Sequence, residues 1–467
     1  MRTAQGALLC AAVAGCGPAA AHGFGARYDL PIPLTYYLTG AALAVLLSFI
    51  VAGVSLRGPG PRPQEHGSGY HDLPGVLPVA RCFGVAVYIL VVISGFVGVQ
   101  APLKNIAPVF VWAIAWVGLS YLSAYVGNVW AMLNPFDAVF AWAERIASRT
   151  RSAVLRYPER LGVWPAVVLF VGFVWMEIVW EDSDHPAYLA LALIAYGGFT
   201  WVAMALYGRK TWLQHGEVFS LVFGLLARFA PIDVRVQPVK GRDRLAMQLR
   251  PYARGLLVRE PLARSQVLLV MVLLSSVSFD GFVETPAWLA AMTLTDRPVL
   301  LKTLALILAP CVFLVVFLFV CRLSAAFAAA PTQAPVATWR MAGLFATTLV
   351  PIAIAYHLAH YLSFLAMAGQ YLIPLLSDPL GRGWDLFGTV NHFVRPGVVD
   401  ARLVWNVSVA AIVVGHVAAI YLAHLQALQE FPSRHDALRS QYPMLALMLG
   451  YTMLSLWIIA QPIVATR

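Results

Sequence analysis

The sequence predicts an all-α fold: a polytopic transmembrane helix bundle of about ten spans after a cleaved signal peptide. Three observations carry this. The 467 residues are 60% hydrophobic and only 12% charged, whereas a soluble chain is about a quarter charged. Apolar runs of roughly 20 residues, the length that crosses a hydrocarbon core as a helix, recur along the whole chain. Between those runs, 23 of the 32 Lys and Arg residues fall in alternate loops, the asymmetry that orients a membrane protein. The net charge of +10 therefore belongs to membrane topology and gives no sign of a nucleic-acid partner.

Taken in order, residues 1–21 read as a secretory signal. Arg2 precedes a short apolar run and the small residues ending at Ala21. Cleavage there leaves His22 as the mature N-terminus; a competing reading is lipoprotein processing at Cys16. Residues 22–467 form one helical domain. Its expected spans are 34–55, 82–99, 108–127, 163–180, 187–207, 265–282, 300–322, 340–368, 403–425 and 443–463. With the mature N-terminus outside a bacterial inner membrane, the basic loops 56–81, 128–162, 208–264, 322–340 and 426–442 lie on the cytoplasmic side.

Two of those loops are long. The first, 128–162, holds Asn134, Pro135, Phe136 and Asp137, then an Arg-rich stretch, and reads as an interfacial helix and a turn. The cytoplasmic insert 208–264 begins with the apolar run Glu217–Arg228, too short to span and therefore amphipathic or re-entrant. Alternation at Val234–Val236 and Leu245–Leu249 predicts a few short strands. On the other side, the loop 369–402 mixes Pro, Gly and bulky apolar residues, as an ordered lid would. Five cysteines are present, but no pair has metal-knuckle spacing, and no disulfide framework is expected.

Polar residues at membrane depth point to function. Glu177 and Glu181 stand four apart at the outer end of the fourth span; Asp280 and Glu284 do so on the sixth. His357 and His360, flanked by Tyr356 and Tyr361, lie in the outer half of the eighth, and His416 near the middle of the ninth. Same-face pairs from several helices are how bundles build metal sites. The expected metal ligands are His357, His360, His416, Glu177 and Asp280, with His22 joining them as an amine–imidazole chelate after cleavage. Glu177, Asp280 and Glu284 are the candidate catalytic carboxylates. Imidazole with carboxylate suits a divalent transition metal: Zn, Fe, Mn or Cu. A metal of that kind could supply a hydroxide nucleophile near neutral pH. The same residues leave two other classes open. One is a non-enzymatic metal-handling or transport protein, including a proton relay; the other is a b-haem electron carrier using His357 and His416.

The segments His22–Pro31, Tyr157–Pro165, Glu217–Pro231, Ser275–Phe282, Tyr356–Tyr361 and Ile373–Gly388 resemble the bacterial polytopic membrane proteins known as fenitrothion hydrolases. The resemblance spans nearly the whole mature chain. It implies hydrolysis of an organophosphorus triester at the P–O–aryl bond and brings no site residues with it. A lipophilic triester partitions into a bilayer, so the expected partners are the lipid bilayer, a lipophilic small-molecule substrate and, still open, a second membrane subunit.

Overall fold

The computed structural model describes residues 28–56, 58, 69–147, 153–239, 242–328, 336–395 and 397–463. The expected signal peptide, Cys16 and His22 lie outside these residues. Within them are ten helices long and apolar enough to cross a membrane. We number them α1 (Leu34–Ser55), α2 (Val76–Val97), α3 (Ile106–Tyr125), α4 (Trp164–Ile178), α5 (Pro186–Tyr207), α6 (Arg264–Val283), α7 (Pro298–Ala328), α8 (Val350–Ala368), α9 (Ala401–Glu430) and α10 (Arg434–Ile463).

All ten expected spans are helical; α1 keeps its expected bounds and the others have shifted ends. α10 begins at Arg434 and not at 443. Its first two turns are polar, so hydropathy passes over them; they are held by neighbours, as when Gln441 pairs with His424 of α9. Helix starts follow local chemistry. α4 and α5 carry Pro in the first turn, where the missing N–H costs nothing. Asp400 caps α9 by accepting from Arg402 N.

Burial sorts the bundle into centre and rim. In α6, 78% of the apolar window is buried, and 94% in the continuous run Thr338–Ser377 that contains α8, against 22% in α1 and α2. A helix apolar on every side belongs in the interior. The rim helices instead expose large apolar side chains such as Leu43, Leu47 and Val315.

The insert 208–264 is built as its alternation predicts. Strands β2 (Ile232–Val239) and β3 (Arg242–Leu249) form an antiparallel hairpin. Strand β1 (His71–Asp72), which the sequence did not announce, adds to the other edge of β3. We call this the sheet end of the bundle. The short helix Val218–Leu226 buries Val218, Val222, Phe223 and Leu226 and packs against α3 and α4. It therefore enters the bundle and does not lie on its surface.

At the opposite end, the loop 369–402 is ordered. Asp378 accepts from Arg382 N and Gly383 N at 2.9 and 2.6 Å, and Ser377 Oγ accepts from Phe387 N. Its anchors run to the connection between α2 and α3: Val99 N donates to Leu380 O, and Arg382 Nη2 to Val97 O.

Candidate functional site

α4 and α6 end together on the side away from the sheet, beside the second half of α8. α6 packs between α4 and α8. That places Glu177 from the last turn of α4, Asp280 from the last turn of α6, and His360 and Tyr361 from α8 in one cluster. His360 Nε2 lies 2.9 Å from Asp280 Oδ2. Tyr361 OH lies 2.5 Å from the same Asp280 oxygen and 3.0 Å from Glu177 Oε1. The His360 and Asp280 side chains are 5% and 8% exposed, so their contact is formed away from bulk water, where hydrogen bonds to charged groups are strongest.

The geometry constrains the protons. A tyrosine hydroxyl has one hydrogen and can donate to only one of two carboxyls. Its contacts with Asp280 and Glu177 are both hydrogen bonds only if one of those carboxyls is protonated and donates to the phenol oxygen. In the neutral tautomer that directs Nε2–H at Asp280, His360 has Nδ1 as its basic nitrogen.

Alpha-helical spacing explains why His360 reaches this cluster and His357 does not. Residues three apart lie about 60° apart around the helix, close enough to share a face but able to meet different neighbours. His360 meets α6. His357 meets the aromatic side chains of α3: its ring stands edge-on to Trp116 and Tyr121 at 5.5 and 5.3 Å, with Tyr361 at 4.6 Å. Neither of its ring nitrogens has a hydrogen-bond partner among the described residues. The expected paired ligation by His357 and His360 is therefore not what the structure forms.

His416 is also elsewhere. Its Nδ1 bonds Ile412 O at 2.8 Å, and its ring stands beside Tyr451, whose hydroxyl pairs with Ser278 Oγ at 2.6 Å. The haem arrangement expected of His357 and His416 meets close packing instead. A Cβ on Gly415 would lie 2.4 Å from the Cβ of Ala355, so α8 and α9 touch backbone to backbone there and leave no slot for a macrocycle. Gly281 plays a similar part beside the cluster: a Cβ there would stand 2.7 Å from Tyr356 OH. Glu284 caps the end of α6, near enough to Asp280 and His360 to interact electrostatically. Glu181 is exposed.

The donor chemistry suits a transition metal; the arrangement does not. Among the described residues no three His, Cys, Asp or Glu side chains converge on a common point. The Asp280 oxygen that would ligate is shared between His360 and Tyr361. No protein family, curated protein or solved structure matches this chain.

Two features escaped the sequence reading. Glu217, fully buried, accepts five hydrogen bonds: from Trp130, Asn134 and Tyr196 side chains and from Phe219 N and Ser220 N. At the sheet end, Arg81 and Arg209 interleave with Asp137 and Asp243 at 2.5–2.9 Å. The stretches Asn134–Asp137 and Glu217–Arg228 stand out in the sequence, but nothing in either announces the other as its partner.

Proposed function

We propose that the protein is a hydrolase embedded in a bacterial inner membrane, acting on neutral, lipophilic phosphotriesters at the Glu177–Tyr361–Asp280–His360 cluster. The mature N-terminus and the cluster lie toward the outer face, and the sheet end toward the cytoplasm, in keeping with the segregation of basic residues. The observation that carries the reading is the buried His360–Asp280 pair, a base with a carboxylate that orients it. The resemblance to fenitrothion hydrolases supplies the substrate class.

In this reading His360 Nδ1 takes a proton from water as the water oxygen attacks phosphorus. The P–O(aryl) bond breaks, and the aryloxide leaves with a proton drawn from the carboxyl shared through Tyr361. Water and triester become a phosphodiester acid and a phenol. Asp280 holds the imidazole tautomer and balances the charge it gains. The steps written here use these side chains alone.

A second reading has its own support. The bridge from Glu177 through Tyr361 to Asp280 and His360, with Ser278 two residues earlier on α6 and hydrogen-bonded to Tyr451 of α10, is also how a proton-coupled transporter would be built. Proteoliposomes separate the two. Release of the phenol from fenitrothion, with no change in lumenal pH in its absence, supports the hydrolase. Proton flux without phenol release would transfer the cluster to transport.

A further inference from the structure

One concavity lies well away from this cluster. A cavity of about 400 Å³ opens at the sheet end, and its lining includes Tyr70, Arg228, Asp233, Arg235, Arg250 and Arg254. Four guanidinium groups thus face one carboxylate. That carboxylate is fully engaged. Asp233 Oδ2 takes Arg235 Nη2 at 2.9 Å and Nε at 3.1 Å, and Oδ1 takes Arg250 Nη1 at 3.3 Å. Tyr70 OH also donates to Asp233; burial, then Asp233 itself, pushes that phenol up to about 12, so it stays a neutral donor.

Arg250 spends its remaining donors on Ala230 O and Ala227 O. The Arg228 guanidinium has no hydrogen bond or ion pair among the described residues. Burial, and then the neighbouring Arg250, lower its hold on its proton, with Asp233 only partly offsetting them. A guanidinium placed beside other guanidiniums in a concave site, with its fork unused, is short of an anion.

We propose that this cavity binds a phosphate group, held by Arg228 with Arg254 and Arg235 on its rim. Planar guanidinium forks match phosphate oxygens two at a time, and clustering them in a partly desolvated recess favours a multiply charged group over a carboxylate. The volume fits a phosphate and a small attached moiety. Two sources share that chemistry, an anionic lipid headgroup and a soluble phosphate. The site lies at the end of the bundle opposite the Asp280 cluster, and its assignment is independent of the activity proposed there.

The test is ligand-induced stabilisation of the purified full chain in a phosphatidylcholine-compatible detergent. Inorganic phosphate and short-chain phosphatidic acid are titrated separately, with short-chain phosphatidylcholine as the control. We expect a saturable rise in the unfolding midpoint with one or both anions and none with the control. A rise with phosphate alone marks a soluble ligand; a rise with phosphatidic acid alone marks a lipid. Arg228→Gln should weaken the binding about tenfold, the loss of one charge-assisted pair, while Arg228→Lys keeps most of it. Wild-type protein that responds to neither anion overturns the proposal, as does an R228Q protein that binds like wild type. If R228Q does not fold, the wild-type titration and R228K decide alone.

Discussion

Removing the Glu217 carboxylate should be among the most destabilising single changes in the protein. Every group around it is a donor. Ser220 N and Tyr196 OH approach to 2.7 and 2.6 Å, and Trp130 Nε1, Asn134 Nδ2 and Phe219 N lie at 3.1 to 3.2 Å. The carboxylate thus caps the short helix Val218–Leu226 and ties it to α5 and to the loop after α3. Glu217→Ala leaves those donors facing one another without water. A broken buried polar network costs about 3–5 kcal/mol, and the lost cap, about 1 kcal/mol by itself, is included in that range. Glu217→Gln keeps one oxygen but turns an NH₂ toward donors, for a loss of about 2 kcal/mol. Tyr196→Phe removes a single donor and should cost about 1 kcal/mol. SDS-titrated unfolding in mixed micelles reads all three. If Glu217→Ala costs less than about 1 kcal/mol, or Gln is no milder than Ala, the carboxylate is not the acceptor hub described here.

Three further outcomes follow from the same contacts. Gly415→Ala should destabilise by about 1–3 kcal/mol through overpacking of α8 on α9, whereas Gly450→Ala, where nothing lies within 4 Å of the new methyl, should not; unfolding midpoints compare them. Burial alone would raise the Asp243 carboxyl, but the hydrogen bonds and charges of Arg209 and Arg81 outweigh it and hold it below its ordinary 3.8. Its stabilising contribution is therefore complete above that value and is lost as pH falls through the lower folded one. Asp243→Asn should cost about 2–4 kcal/mol near neutrality, with the gap from wild type closing as the buffer is taken below about pH 4. Tyr361→Phe removes the bridge between Glu177 and Asp280 and should lower phenol release roughly tenfold while costing about 1–3 kcal/mol of stability; unchanged values of both would remove Tyr361 from the cluster's function.

The spans were legible because length and hydropathy decide which segments can be membrane helices, and α1 matches its expected bounds at Leu34 and Ser55. The hairpin was legible from alternation at Val234 and Leu245. The cluster was half legible. Glu177, Asp280 and His360 could be placed at a common depth, but no sequence pattern makes α6 the neighbour of both α4 and α8. Nor could periodicity tell that His360 turns to Asp280 while His357, three residues earlier, turns to Trp116 and Tyr121. That choice is made by tertiary packing. Tyr361 read as a flanking aromatic, since a bridging hydroxyl leaves no mark on hydropathy. Arg228 and its neighbours read only as topology-setting charge, because the sequence counts cations but does not show which of them lack a counterion.

The most direct test compares wild-type and Asp280→Asn protein, purified alike in nanodiscs and matched for unfolding midpoint, in the release of 3-methyl-4-nitrophenol from fenitrothion. The amide keeps the size of Asp280 but cannot balance a protonated His360. The account predicts measurable release by the wild type and a loss of at least about a hundredfold in the variant, in line with a positioned general base contributing 10² or more. Release that persists in Asp280→Asn, or a well-folded wild type that releases none, would contradict it.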